Sequence, residues 1–202
     1  MSEAGILEKW NVTLGELNEI LAVRPSLRGI LMGFIAEYKL TQIWFNKDSR
    51  IQELKRYDNH DRARSGDLGF LYQGVPVTVQ VKSLQANSIS KVNNEYSGTF
   101  QCDASDRRRV TLPNGQVIET TCLIVGGFDL LAVNLFEFEQ QWRFAFAKNS
   151  DLPRTKHHKY TPEQREYLLA TSIRITWPLK PPFYEDPFMV LDMIISEKHA
   201  KQ

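Results

Sequence analysis

The chain has 202 residues, 42% of them hydrophobic, with 25 basic against 24 acidic side chains and a formal net charge of +1. This length and apolar content bury one substantial core and predict a single domain over 1–202. The near-balanced charge excludes a global basic excess, so any nucleic-acid contact must come from local patches. No apolar run reaches a membrane span, and Met1-Ser2-Glu3-Ala4 lacks the basic and apolar regions of a secretory signal. The expectation is a cytoplasmic protein with no membrane partner. Cys102 and Cys122 are too few and too scattered for a disulfide scaffold or a zinc site.

In chain order, Thr13-Leu14-Gly15-Glu16 reads as a capping box opening a short helix that Pro25 ends. A longer helix is predicted over 26–45, with Ser26 as N-cap and Leu27, Ile30, Leu31, Phe34, Ile35 and Tyr38 at helical spacing. Glu37 lies near that apolar stripe. Residues 46–66 form a charged connection with a helical turn expected around Ile51 to Leu54, and Asp58-Asn59-His60-Asp61 reads as a solvated turn. Gly66-Asp67-Leu68-Gly69-Phe70, a turn at Gly74 and Val75 through Lys82 then read as a β-hairpin.

Beyond the hairpin, strands are predicted at 98–102, 121–125, 128–136 and 142–147, with Leu112-Pro113-Asn114-Gly115-Gln116 as a turn. Thr161-Pro162-Glu163-Gln164 is a second capping box, opening a helix through about Ala170, and Asp186-Pro187 starts a last one. Helix, strands and helix in this order make an α/β fold with a mixed central sheet flanked by helices.

Alternation along the second hairpin strand sends Val77, Val79 and Val81 to one face and Thr78, Gln80 and Lys82 to the other. Gln80 and Lys82 are therefore neighbours, and Asp67, opening the paired strand, stands beside them. A carboxylate sharing a divalent metal with the Gln80 amide oxygen is a feasible hard-cation site. An ammonium at the end of a Val-rich strand also requires anionic company, such as a phosphate.

Asp67 followed by Gln80-Val81-Lys82 resembles the active-site core of the PD-(D/E)xK nuclease superfamily, with Gln80 where that family usually carries Glu or Asp. Some active members look similar in having Gln there and in drawing a Glu from a preceding helix; Gly33-Phe34-Ile35-Ala36-Glu37 resembles that helix. The resemblance covers about 26–146 and implies a restriction-endonuclease-like fold. It also implies a magnesium-dependent endodeoxyribonuclease of type II restriction or other site-specific type, with manganese able to substitute. Asp67, Gln80, the Val81 carbonyl and Glu37 would hold the metal. Lys82 would orient or deprotonate the attacking water.

Two segments offer nucleic-acid contacts. Arg107, Arg108 and Arg109 sit just past a strand, near Asp103 and Asp106, where guanidiniums reach phosphates or guanine edges. Lys156 and His157, in Lys156-His157-His158-Lys159, lie in a loop between strand and helix. Cutting both strands with one site per subunit implies a homodimer or higher homo-oligomer on double-stranded DNA. The alternatives are a junction resolvase, transposon-end or repair nuclease on the same fold, and a DNA-binding or assembly module that has lost its chemistry. An unrelated α/β ligand-binding protein is favoured only if Asp67 and Lys82 lie far apart.

Overall fold

Ile51–Arg56 (β1), Leu68–Tyr72 (β2) and Val75–Ser83 (β3) run antiparallel, each paired with the next. The β2–β3 turn is tight because Gln73 and Gly74 both take positive φ, 51° and 79°, the backbone that matches the strands' right-handed twist. The structure, a computed structural model, describes residues 5–57 and 66–200. The expected turn at Asp58-Asn59-His60-Asp61 lies outside the described residues. The chain divides into two compact units, Met1–Ile35 and Ala36–Gln202.

In the first unit, Ile6–Lys9 (α1) and Leu14–Val23 (α2) precede Pro25–Leu40 (α3), whose last residues belong to the second unit. The expected capping box is present: the Thr13 hydroxyl accepts from the Glu16 N–H, and the Glu16 carboxylate accepts from the Thr13 N–H. Pro25 opens α3 rather than merely ending α2, so Ser26 lies inside the first turn and is not the N-cap. A proline is suited to that place because its missing N–H would have no helical partner. The apolar stripe is helical as predicted, but Leu27, Ile30, Leu31 and Phe34 are exposed rather than buried.

In the second unit, α3 runs on into a π-helical turn at Thr41–Phe45. The predicted end of the long helix at Phe45 therefore holds, with its last turn wound more widely. Ile51–Leu54 is not helical: it lies in β1 on the edge of the sheet. The further strands are Ser90–Val92 (β4), Glu95–Gln101 (β5), Asp103–Thr111 (β6), Val117–Cys122 (β7), Leu130–Asn134 (β8), Phe144–Lys148 (β9) and Ser172–Trp177 (β10). Helices Phe136–Glu139 (α4), Pro162–Glu166 (α5) and Pro187–His199 (α6) complete it. Helix α5 stops at Glu166, short of Ala170, because Leu168 and Leu169 pair with Ile124 and Arg154 as isolated bridges.

The central sheet has five strands in the order β1-β2-β3-β8-β9. It is mixed, since β3 and β8 run parallel while the other neighbours are antiparallel. On one face Val77, Val79 and Val81 pack with Leu40, Phe45, Val190 and Ile194, so the end of α3 and α6 cover that side. On the other face Leu131, Val133, Ala145 and Ala147 meet Phe100, Ile173 and Ile175 of a small sheet ordered β10-β5-β4. Burying each β3 valine contributes roughly 1.5–3 kcal/mol, which pins the register and fixes where Gln80 and Lys82 point. Strand β3 is thus central, not an edge whose polar face meets water.

Candidate active site

Three chain segments place the site. Gly66 takes φ +83°, and a Cβ there would stand 2.8 Å from the Val79 carbonyl oxygen. Only glycine fits both the left-handed backbone and the close approach. This lets the Asp67 N–H donate to the Val79 carbonyl at 2.8 Å, one step before β2 begins. Because Leu68 faces Val79, the register sets Asp67 opposite Gln80.

Asp67 Oδ2 accepts from Gln80 Nε2 at 2.5 Å and from the Val81 N–H at 2.6 Å. A strand residue directs its N–H and C=O to the same edge, so the Val81 carbonyl faces the Asp67 end of β2 as well. Burial raises the Asp67 carboxyl, against the opposing pull of the Val81 N–H, the Lys82 ammonium and the Gln80 amide. On the next outward position of β3, Lys82 Nζ donates to the Asp103 carbonyl at 2.9 Å, at the first residue of β6. Asp67 and Lys82 therefore stand together, which removes the condition that favoured an unrelated ligand-binding fold.

Glu37, in the last turn of α3, belongs to the same cluster. Its carboxyl is held up at about 7, first by burial and then by repulsion from Asp67, with Arg56 pulling the other way. Two carboxylates that repel each other in a buried site ionise together more readily when a cation binds between them. The donor set fits a hard divalent ion: two carboxylates, the Val81 carbonyl and the Gln80 amide all bring oxygen. Among the described residues no group of three or more His, Cys, Asp or Glu side chains gathers at one point. An ion here would need those neutral oxygens. Gln80 turns its amide nitrogen, not its oxygen, toward Asp67, so metal ligation by Gln80 requires a half-turn of the amide.

Two further residues belong here that the sequence pattern did not single out. Arg56, at the end of β1, donates to Thr41 Oγ1 at 2.7 Å and lies over the Tyr38 ring, 5.2 Å from its centroid. Its positive charge is felt at Glu37. Asp103 serves Lys82: its carbonyl accepts from the ammonium, and Lys82 offsets part of the rise that burial imposes on its carboxyl. Both join the site through long-range packing, so no local motif signals them.

The other candidates lie apart from this cluster. Arg107, Arg108 and Arg109 are exposed and stand within β6 rather than past the end of a strand. Lys156 and His157 lie in an exposed loop where the His157 and His158 rings stack 4.6 Å apart. That loop ends at Tyr160, whose hydroxyl bonds Thr120 of β7 at 2.5 Å, so the loop borders the β6–β7 ribbon.

No family model matches this chain, and no curated protein is similar to it. A solved structure of a bacterial homing endonuclease is similar at 20% identity with a TM-score of 0.33, over 68% of this chain and 86% of that one. A likeness at that score carries no argument about fold or activity, and the functional reading rests on the site itself.

Proposed function

We propose that this chain is a magnesium-dependent DNA endonuclease of site-specific, restriction-like type, acting on double-stranded DNA as a homodimer, with manganese able to replace magnesium. The observation that carries this reading is the convergence of Asp67, Glu37 and Lys82 at the end of a central strand, with the Glu37 carboxyl raised to about 7 beside Asp67. A buried carboxyl whose acidity is shifted by desolvation and by a neighbouring carboxylate, beside a lysine, is the kind of arrangement found at functional sites.

Asp67, Glu37, the Val81 carbonyl and Gln80 through Oε1 would hold the ion, which supplies charge neutralisation at the scissile phosphate and a more acidic water. Lys82, anchored on the Asp103 carbonyl, keeps N–H donors free to orient the attacking water and to meet charge growing on the phosphate oxygens. Water oxygen forms the new P–O bond as the bond to the leaving sugar oxygen breaks, and that oxygen takes up a proton. Arg56, steadied on Tyr38, offsets the negative charge of Glu37 and keeps the phosphate from being repelled.

A second reading has its own observation. The Gln80 amide already satisfies Asp67 Oδ2, as it would in a DNA-binding module that has lost its chemistry. Incubating long mixed-sequence DNA with the chain and magnesium separates the two. Discrete fragments support the site-specific enzyme, a smear supports a nuclease selecting structure rather than sequence, and intact DNA in both magnesium and manganese contradicts the nuclease reading.

A further inference from the structure

The β6–β7 ribbon has two faces of opposite character. Its register sets Arg108 against Thr120, Arg109 against Glu119, Val110 against Ile118 and Thr111 against Val117. Val110, Ile118 and the buried Leu112 and Cys122 pack inward on Tyr160 and Leu168. Arg109, Thr111, Val117 and Glu119 alternate to the other face, and all four are exposed. Among the described residues neither Arg109 nor Glu119 forms an ion pair, although the register makes them direct cross-strand neighbours, about 5 Å apart at Cβ. The ribbon begins at Asp103, the residue that anchors Lys82. The ribbon is thus rooted in the candidate active site, with its pairing shifted between Asp103 and Arg108.

We infer that the outer face of this ribbon enters the major groove of duplex DNA and reads base edges, with Arg109 and Glu119 addressing one G·C pair. The inference deepens the endonuclease reading and rests on it for the class of ligand. The major groove accepts a two-stranded ribbon, guanine offers O6 and N7 to a guanidinium, and the paired cytosine offers its amino group to a carboxylate. Glu119 is the discriminating residue: a face built only to grip phosphates gains nothing from a carboxylate beside its arginine, since phosphate and carboxylate repel. The methyls of Val117 and Thr111 beside the pair suit contact with a thymine methyl. The pairing of β6 with β7 shifts between Asp103 and Arg108, so only Cys122 to Glu119 of β7 spans the stretch from Asp103 to Arg109; at strand rise the pair read lies about 10 Å, or about three base-pair steps, from Asp103.

The test selects bound duplexes from a random pool with calcium in place of magnesium, then compares variants on the selected and on random duplexes. Expected are a motif with a G·C pair whose guanine N7 methylation blocks binding, and Arg109→Ala losing about ten- to a hundred-fold on that motif but far less on random duplex. Arg108→Ala, on the inward side, should keep the preference. Glu119→Gln, nearly isosteric, covers the case in which Arg109→Ala fails to fold: it should relax the preference at the same pair. An unchanged motif and affinity in both variants overturns the inference, as does harmless N7 methylation or failure of the wild type to bind duplex. A wild type that selects such a motif yet never cuts with magnesium overturns the nuclease reading and leaves the ribbon as a reader.

Discussion

On β3, Gln80 and Lys82 are half-buried among the carbonyl of Asp103 and the carboxylate of Asp67, and each already has a partner inside the protein. On β6, Arg107, Arg108 and Arg109 lie exposed, and among the described residues no ion pair ties them down. Both regions are antiparallel strand pairs built from the same alternation, so secondary structure does not distinguish them. What separates them is what covers each polar face. The five-stranded sheet packs a second sheet against the side that carries Gln80 and Lys82, so charges there are desolvated and their interactions with one another become strong. The ribbon packs only its inner face and leaves its outer charges in water, free for a partner. Around β3, burial raises the carboxyls of Glu37 and Asp67, whereas the outer face of the ribbon stays in water.

That contrast predicts the largest losses on β3 and its neighbours. Replacing Asp67 or Lys82 by Ala should lower magnesium-dependent cleavage by about a thousand-fold or more while leaving far-UV circular dichroism and duplex binding in place. Asp67→Ala should even bind DNA somewhat tighter without metal, because a carboxylate no longer repels the phosphate. Near-normal cleavage rates in either variant would place the chemistry elsewhere.

Glu37→Gln comes next in size and has a pH signature. The folded carboxyl holds its proton up to about 7, against an ordinary value of 4.5. Between these values the folded chain binds more protons than the unfolded one, so Glu37 costs stability as pH rises through that window. Metal-free Glu37→Gln should therefore gain stability over wild type above pH 7, by about 1 kcal/mol once solvent screening is allowed for, and show no gain below pH 4. In the wild type, magnesium must displace that proton, so its affinity should climb from pH 5 to about 7 and then level off. Calorimetric titrations at several pH values check both; a flat profile removes Glu37 from the metal shell.

A smaller effect is expected at Gln80. Gln80→Glu exchanges the amide donor to Asp67 for a third negative charge, so thermal stability without metal should fall by about 1–2 kcal/mol and magnesium should restore it. The smallest belongs to the ribbon: Arg107→Ala should reduce the slope of log affinity against log salt by about one unit, measured on random duplex, if Arg107 grips a phosphate. An unchanged slope would mean that exposure on β6 alone does not make a contact.

The hairpin and the pairing of Asp67 with Gln80 and Lys82 were legible because Val77, Val79 and Val81 alternate without interruption and Gly74 marks the turn. Strand β1 was not. Its Gln52-Glu53-Leu54-Lys55 run carries little apolar signal, and the pairing shifts between Gln52 and Lys55, where Glu53 takes φ 53°. Periodicity likewise announced the helix over Leu27 to Tyr38 but not whether its apolar side is covered, since the pattern reports a face and not its partner. Leu168 and Leu169 looked helical until bridges to Ile124 and Arg154 claimed them. Arg56 and Asp103 reach the site from β1 and β6, outside the hairpin that carries the motif, and only the assembled fold brings them there.

Asp67 and Lys82 are proposed to form a magnesium-dependent phosphodiesterase centre. Its most direct test is relaxation of supercoiled plasmid by wild type, Asp67→Ala and Lys82→Ala side by side, with magnesium, with manganese and with chelator. Nicked and linear products are expected from the wild type with either metal only, and intact plasmid from both variants under every condition. Wild-type cutting that persists in chelator, or variants that cut as fast as the wild type, would contradict this assignment.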